Sequence, residues 1–222
     1  MKRNIYISFG LIAGTLLIDQ ISKIWVKTSM YLGQEFSVFG NWFFIHFTEN
    51  NGMAFGMEFA GENGKLYLTL FRILAVAGLL YYLVVLIKKN AHIGLIISIA
   101  LLFSGALGNI IDSVFYGIVF SDSYHQIAEV FPAQGGYANL FYGRVVDMLY
   151  FPLFSGYFPE WLPVWGGESF TFFRPVFNVA DTCISVGISL IVVFQKKFYP
   201  EETPKGIDDK SENAEESNGQ SV

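Results

Sequence analysis

The chain has 222 residues, of which 53% are hydrophobic, 18% aromatic and 15% charged, and its mean hydropathy is +0.43. Those proportions are too apolar for a water-soluble domain of this length and place the chain among integral membrane proteins. The net charge of -5 comes from residues 201–222, where seven acidic residues outnumber two basic ones while the remainder carries twelve of each sign, so the acidic balance says nothing about a substrate, and nothing points to nucleic acid.

Four apolar runs, about Ile5 to Val26, Leu66 to Ile87, Ile93 to Val119 and Val176 to Phe194, each approach or exceed the roughly 20 residues that a helix needs to cross a hydrocarbon layer. They are continuous rather than alternating in polarity, which excludes a transmembrane barrel. The expected fold class is an all-α integral membrane protein: four transmembrane helices, a small outer-side β/loop region and an inserted outer loop. One membrane domain is expected over residues 1–200, followed by an acidic, disordered cytoplasmic tail over 201–222 that has too few apolar residues to bury itself.

The first run follows Met1-Lys2-Arg3 and so resembles a secretory signal peptide. No clean small-x-small cleavage site follows it and Asp19 interrupts it, so a retained first helix is expected. Lys2, Arg3, Lys88, Lys89, Lys196 and Lys197 flank the same alternate helix ends, which predicts two cytoplasmic termini. The loops over about 27–65 and 120–175 then lie on the outer side. Aromatics in them, such as Trp42, Phe43, Trp161 and Trp165, suit an interfacial belt, and the alternating stretch Asn41 to Phe47 suits a small sheet.

Four aspartates, Asp19, Asp112, Asp147 and Asp181, fall at that outer face, and three of them sit inside spanning runs. A carboxylate at mid-membrane costs about 2.5 to 3.5 kcal/mol on insertion scales, so such residues are functional candidates by default. The other polar residues gather around them. Gly105, Gly108, Asn109 and Asp112 recur at three- and four-residue spacing, so small residues admit a neighbouring helix beside the two polar groups. Asn178 and Asp181 share a helix face in the same way. Caps, turns and packing account for any one of these groups, but not readily for five of them at one face.

Other chemistries find less support. Cys183 is the lone cysteine and reads as packing rather than as a nucleophile. His46, His92 and His125 are scattered and form no zinc motif. Ser22 and Lys23 are adjacent on a helix and point about 100° apart, so they do not form a Ser/Lys pair; Lys23 reads instead as an interfacial cation that partners Asp19 at i, i+4.

Taken together, these stretches resemble the lipoprotein signal peptidase family, also called signal peptidase II, the bacterial membrane aspartyl proteases. Its D-Q-x-x-K motif matches Asp19, Gln20 and Lys23; N-x-G-x-A-F matches Asn50, Gly52, Ala54 and Phe55; G-x-x-G-N-x-x-D matches Gly105, Gly108, Asn109 and Asp112. V-x-D matches Val145 and Asp147, and F-N-x-A-D matches Phe177, Asn178, Ala180 and Asp181. The resemblance implies a catalytic pair, Asp147 and Asp181, with Asp19, Lys23, Asn50, Gly52, Asn109, Asp112, Asn178 and Ala180 shaping the site or binding substrate. It further implies a diacylglyceryl-modified prolipoprotein substrate cut on the amino side of its lipidated cysteine, a bacterial inner-membrane location among membrane lipids, and no metal or organic cofactor. Two departures stand out. Ser113 occupies the position where the family usually has arginine, with Arg144 as a candidate substitute, and residues 118–142 insert aromatic and glycine-rich sequence expected to cover or border the site.

Three rival readings carry distinguishable expectations. A transporter needs a polar path through the bilayer, and the cytoplasmic halves of the helices offer almost no charge. A metal-dependent phosphatase or lipid transferase would depend on its metal. A structural scaffold would tolerate loss of both Asp147 and Asp181.

Overall fold

The computed structural model of the protein describes residues 1–51 and 64–199. Among them four helices are long and apolar enough to span a membrane: α1 (Lys2–Ser29), α2 (Gly64–Lys88), α3 (Ile93–Val119) and α4 (Val179–Phe198). The elements expected from hydropathy are all present: α1 and α2 extend beyond their apolar runs at both ends, and α3 coincides with its run. Helix α4 ends later than its run and also begins later, because Val176–Phe177 forms a strand and Asn178 caps the helix.

The chain is mostly helical but not all-α, which corrects the expected class. Among the described residues six strands accompany the helices: β1 (Glu35–Phe39), β2 (Phe43–Asn50), β3 (Val145–Tyr150), β4 (Phe154–Tyr157), β5 (Ser169–Phe172) and β6 (Val176–Phe177). They form a four-stranded antiparallel sheet in the order β1-β2-β3-β6 and a separate β4-β5 hairpin. Aromatic and β-branched residues in the connections supply the strand-forming chemistry that hydropathy windows overlook. Asp147 therefore stands on a strand rather than in a loop, opposite Thr48 of β2.

The most buried helix is α3, which packs against the other three. Glycines set its approach to α4: a Cβ at Gly105 would lie 2.3 Å from the Ala180 carbonyl oxygen, and one at Gly108 would lie 2.6 Å from an Asp19 carboxylate oxygen. Small residues thus bring α1, α3 and α4 together at one end of the bundle, as the spacing predicts. Near that end α3 passes through a π-helical turn at Asp112–Tyr116. The inserted segment folds back along it: Phe141 N–H donates to the Val114 carbonyl at 3.1 Å, Gly143 to Ser113 at 2.9 Å and Ala138 to Gly117 at 3.0 Å. These bonds occupy carbonyls that the end of a helix would leave without partners.

Two apolar clusters brace the bundle's ends. Val26, Met30, Phe47, Tyr116, Phe120, Val146 and Met148 pack beneath the sheet, whereas Leu83, Leu86, Leu95, Ile96, Ile99 and Phe198 pack at the opposite end. Large side chains such as Phe9, Leu17, Leu74 and Val193 remain exposed on the helix surfaces, as a lipid-facing boundary requires. Cys183 is buried in α4, in keeping with a packing role.

Gly105→Ala is expected to force α3 and α4 apart and to destabilise the protein by about 1–3 kcal/mol, the usual cost of overpacking. Gly78→Ala, where an added Cβ meets nothing within 4 Å, serves as the control. Thermal unfolding in detergent reads the difference; equal melting temperatures for the two variants would contradict the close helix contact.

Candidate active site

One lysine organises the polar cluster. Lys23 is completely buried, and its ammonium lies 2.9 Å from Asp19, 2.8 Å from Asp112 and 2.9 Å from the Asn109 side-chain oxygen. Its three donors are thereby matched by three acceptors. The i, i+4 partnership with Asp19 is as expected, but Lys23 is an interior ion and not an interfacial cation, because α3 supplies Asp112 and Asn109 from the other side.

Each of the two carboxylates does a second job. Asp19 accepts the backbone N–H of Ala180 at 2.9 Å, and Asp112 accepts that of Val146 at 3.3 Å. Those amides belong to the residues immediately before Asp181 and Asp147. Gln20 ties the supporting pair together, donating to Asp19 at 3.1 Å and to Asp112 at 3.0 Å, and its own oxygen receives the Tyr116 hydroxyl at 3.1 Å. The serine at 22 turns away and donates to the Asp19 carbonyl at 2.8 Å, consistent with a helix-filling role.

Asn178 links the remaining two carboxylates. Its side-chain nitrogen donates to Asp147 at 2.6 Å and to Asn109 at 3.2 Å, while its oxygen accepts the Asp181 N–H at 2.8 Å. Asn178 caps α4, and Asp181 closes the capping box by accepting the Asn178 N–H. The Asn109 side chain donates to Asp181 at 2.8 Å, and that of Asn50 to the second oxygen of Asp147. Asp147 is only 3% exposed. Burial, and then the neighbouring Asp181 charge, push its carboxyl up to about 7, while the amide donors from Asn178 and Asn50 pull less strongly the other way.

The structure therefore brings together Asp19, Lys23, Asn50, Asn109, Asp112, Asp147, Asn178, Ala180 and Asp181. Gly52 lies outside the described residues, as do Ala54, Phe55 and the tail over 201–222. Arg144 occupies a neighbouring group: its guanidinium donates to Glu49 at 3.1 Å and to Asp122 at 3.2 Å and lies over the Tyr137 ring at 4.9 Å. Burial opposes its charge, but its bonds to Glu49 outweigh that and hold the guanidinium above its usual range. Glu49 also pairs with Lys27, which is itself fully buried and lies within 6 Å of the Phe47, Phe120 and Tyr137 rings. Ser123 of the inserted segment bonds to both ions, with Lys27 at 2.9 Å and Glu49 at 3.2 Å. The insertion thus borders the site through the residue that directly precedes Asn50.

A family model described as Signal peptidase (SPase) II matches residues 11–196. The chain belongs to that family. A lipoprotein signal peptidase of Porphyromonas gingivalis is 54% identical over 185 residues, covering 83% of this chain and 80% of the relative. One from Amoebophilus asiaticus is 37% identical over 196 residues, covering 87% and 79% respectively. A solved bacterial membrane enzyme shares the fold with a TM-score of 0.58 at 24% identity, covering 88% of this chain and 96% of that one. The protein is accordingly a membrane protein of a peptidase family.

Lys27 and Glu49 were not among the residues singled out from sequence. A signal was present: Lys27 follows Asp19 and Lys23 at four-residue intervals on α1, and Glu49 precedes Asn50. Lys23→Met is expected to strand two buried carboxylates and cost about 3–5 kcal/mol, as removal of one partner of a buried ion pair does. A melting temperature within a degree or so of wild type would refute the central role given to that ammonium.

Proposed function

We propose that the protein is an aspartyl endopeptidase that removes the signal peptide from diacylglyceryl-modified prolipoproteins, cutting on the amino side of the lipidated cysteine. The observation that carries this reading is the pairing of Asp147 and Asp181 through Asn178, with each preceding backbone amide held by its own supporting carboxylate. Two neighbouring carboxylates in a site of restricted hydration share one proton, as acid–base hydrolysis of a peptide bond demands.

Asp147, its carboxyl pushed up to about 7 by burial, is the member of the pair that keeps a proton into the neutral range. Asp181, which accepts bonds from the Asn109 side chain and the Asn178 amide, acts as the base. It takes a proton from a water molecule, whose oxygen bonds to the scissile carbonyl carbon, while Asp147 protonates the carbonyl oxygen. Collapse of the tetrahedral intermediate then breaks the C–N bond: Asp181 gives the proton it took from water to the departing amine, and Asp147 regains a proton from a hydroxyl of the intermediate. Asn50 and Asn178 keep the Asp147 carboxyl oriented through the cycle. This scheme calls on no metal or organic cofactor.

The six lysine and arginine residues next to the far ends of the helices support a multi-pass arrangement in the bacterial inner membrane, with both termini cytoplasmic and the carboxylates at the outer face. A site at that level suits a lipidated substrate. Its acyl chains remain in the bilayer while the peptide bond reaches Asp147 and Asp181.

Cleavage of a diacylglyceryl-modified prolipoprotein by the purified protein in detergent with EDTA tests the assignment. Asp147→Asn and Asp181→Asn are each expected to lower the rate by about 10^2-fold or more, in the range of general acid–base losses, while the variants remain folded. Full activity in both variants, or a metal requirement, would overturn it. The rate of the wild type should also fall as pH rises through about 7, because the raised Asp147 carboxyl then loses the proton it must donate. A rate that climbs steadily above that pH would reverse the two roles.

A further inference from the structure

The end of the bundle opposite the carboxylates has chemistry that peptide cleavage does not use. A cavity of about 500 Å³ opens between the start of α1 and the turn that joins α2 to α3, lined by Met1, Arg3, Asn4, Asn90, Ala91 and Ile93. Asn4 is only 9% exposed, yet its side chain has no hydrogen-bond partner among the described residues. One turn further in on the same face, Ser8 is 3% exposed and its hydroxyl is also unpartnered. Buried polar groups are normally bonded, so the vacant Asn4 side chain on the cavity wall indicates a missing partner.

The partner's charge follows from the surroundings. α1 begins at Met1 without a side-chain cap, so its first backbone amides point outward with no helical acceptor. Arg3 has no carboxylate partner among the described residues. Lys2, Lys88, Lys89, Lys196 and Lys197 lie at the same end; among the described residues no acidic one occurs within 1–18, 73–111 or 182–199, while residues 201–222 beyond them carry seven acidic and two basic residues. Amide donors and a guanidinium at one cavity together select an oxygen-rich anion. Beside the cavity Ile5, Tyr6 and Phe9 are 45%, 73% and 72% exposed on a membrane-spanning helix, so the occupant's other portion meets an apolar surface.

We propose that this cavity binds the phosphate of an anionic phospholipid headgroup, with Arg3 and Asn4 as its principal ligands and the acyl chains lying along α1. Basic pockets between helices at a membrane face are suited to such headgroups. The site is independent of the peptidase reading, since it lies at the far end of the helices from Asp147 and Asp181.

Native mass spectrometry of the full-length protein, titrated with phosphatidylglycerol or phosphatidylcholine, tests the proposal. One phosphatidylglycerol per chain should be retained in preference to phosphatidylcholine. Arg3→Gln and Asn4→Leu should each weaken that retention about tenfold, the worth of one hydrogen bond to a charged group. The double variant Lys196→Gln, Lys197→Gln removes two positive charges away from the cavity, against one in Arg3→Gln and none in Asn4→Leu, and should still leave retention near the wild-type level. Prolipoprotein cleavage by the variants checks that they fold. Equal retention of the two lipids, or equal losses in the cavity variants and the Lys196, Lys197 variant, would overturn the site in favour of diffuse attraction. A parallel titration with inorganic phosphate distinguishes the sources: if phosphate alone displaces the lipid at millimolar levels, the lipid assignment fails and a free-anion site replaces it.

Discussion

The site depends on a single buried ammonium. Lys23 meets Asp19, Asp112 and Asn109, and through them it reaches the backbone before Asp147 and Asp181. Ions this deep cost several kcal/mol each to strip of water, and they are tolerable only when opposite charge and donors surround them. Gln20, the Ala180 and Val146 amides and Lys23 itself provide that surrounding. Electrostatic satisfaction and geometric positioning are therefore one arrangement here. The same contacts that make the carboxylates bearable in the interior fix where the two remaining carboxylates stand.

A second ion group lies beside the first, built from Lys27, Glu49 and Arg144. It fastens β2 to α1 and, through Asp122, Ser123 and Tyr137, to the inserted segment. Glu49 and Asn50 are neighbours on β2, so any displacement of this group is felt at the Asp147 carboxyl. The insertion takes part in the scaffold on both sides: it bonds to the ion group and supplies N–H donors to the π-helical end of α3. Arg144, the candidate substitute for the family's usual arginine, is held within this scaffold.

Much of the architecture was legible in the sequence because the bilayer imposes a coarse rule: long apolar runs must be helices, and Asp or Asn within them must face inward. Gly105 and Gly108 marked the close helix contact correctly, and the Asp19–Lys23 spacing marked a true pair. The sheet was harder to see. Strands such as Val145–Tyr150 are short and mix apolar residues with Asp147, so no window distinguishes them from a loop, and their partners lie far off in sequence. The depth of Lys23 was also hidden, because its surroundings come from α3, about 86 residues along the chain. Spacing on one helix cannot report what another helix brings.

The span of these contacts has a consequence for how the molecule is made. The bond from the Ala180 amide to Asp19 joins residues 161 positions apart, so the cluster cannot close until the last helix has been synthesised and inserted. Before that, α1 must enter the bilayer with a carboxylate and an ammonium in its C-terminal half. Because Asp19 and Lys23 sit one turn apart, the nascent helix brings its own counter-charge and crosses the hydrocarbon as a neutral pair. Asp112 joins only when α3 arrives, and Asp181 only with α4. Until the ribosome has passed the fourth span, the membrane holds an incomplete enzyme with one of its two paired carboxylates still to come.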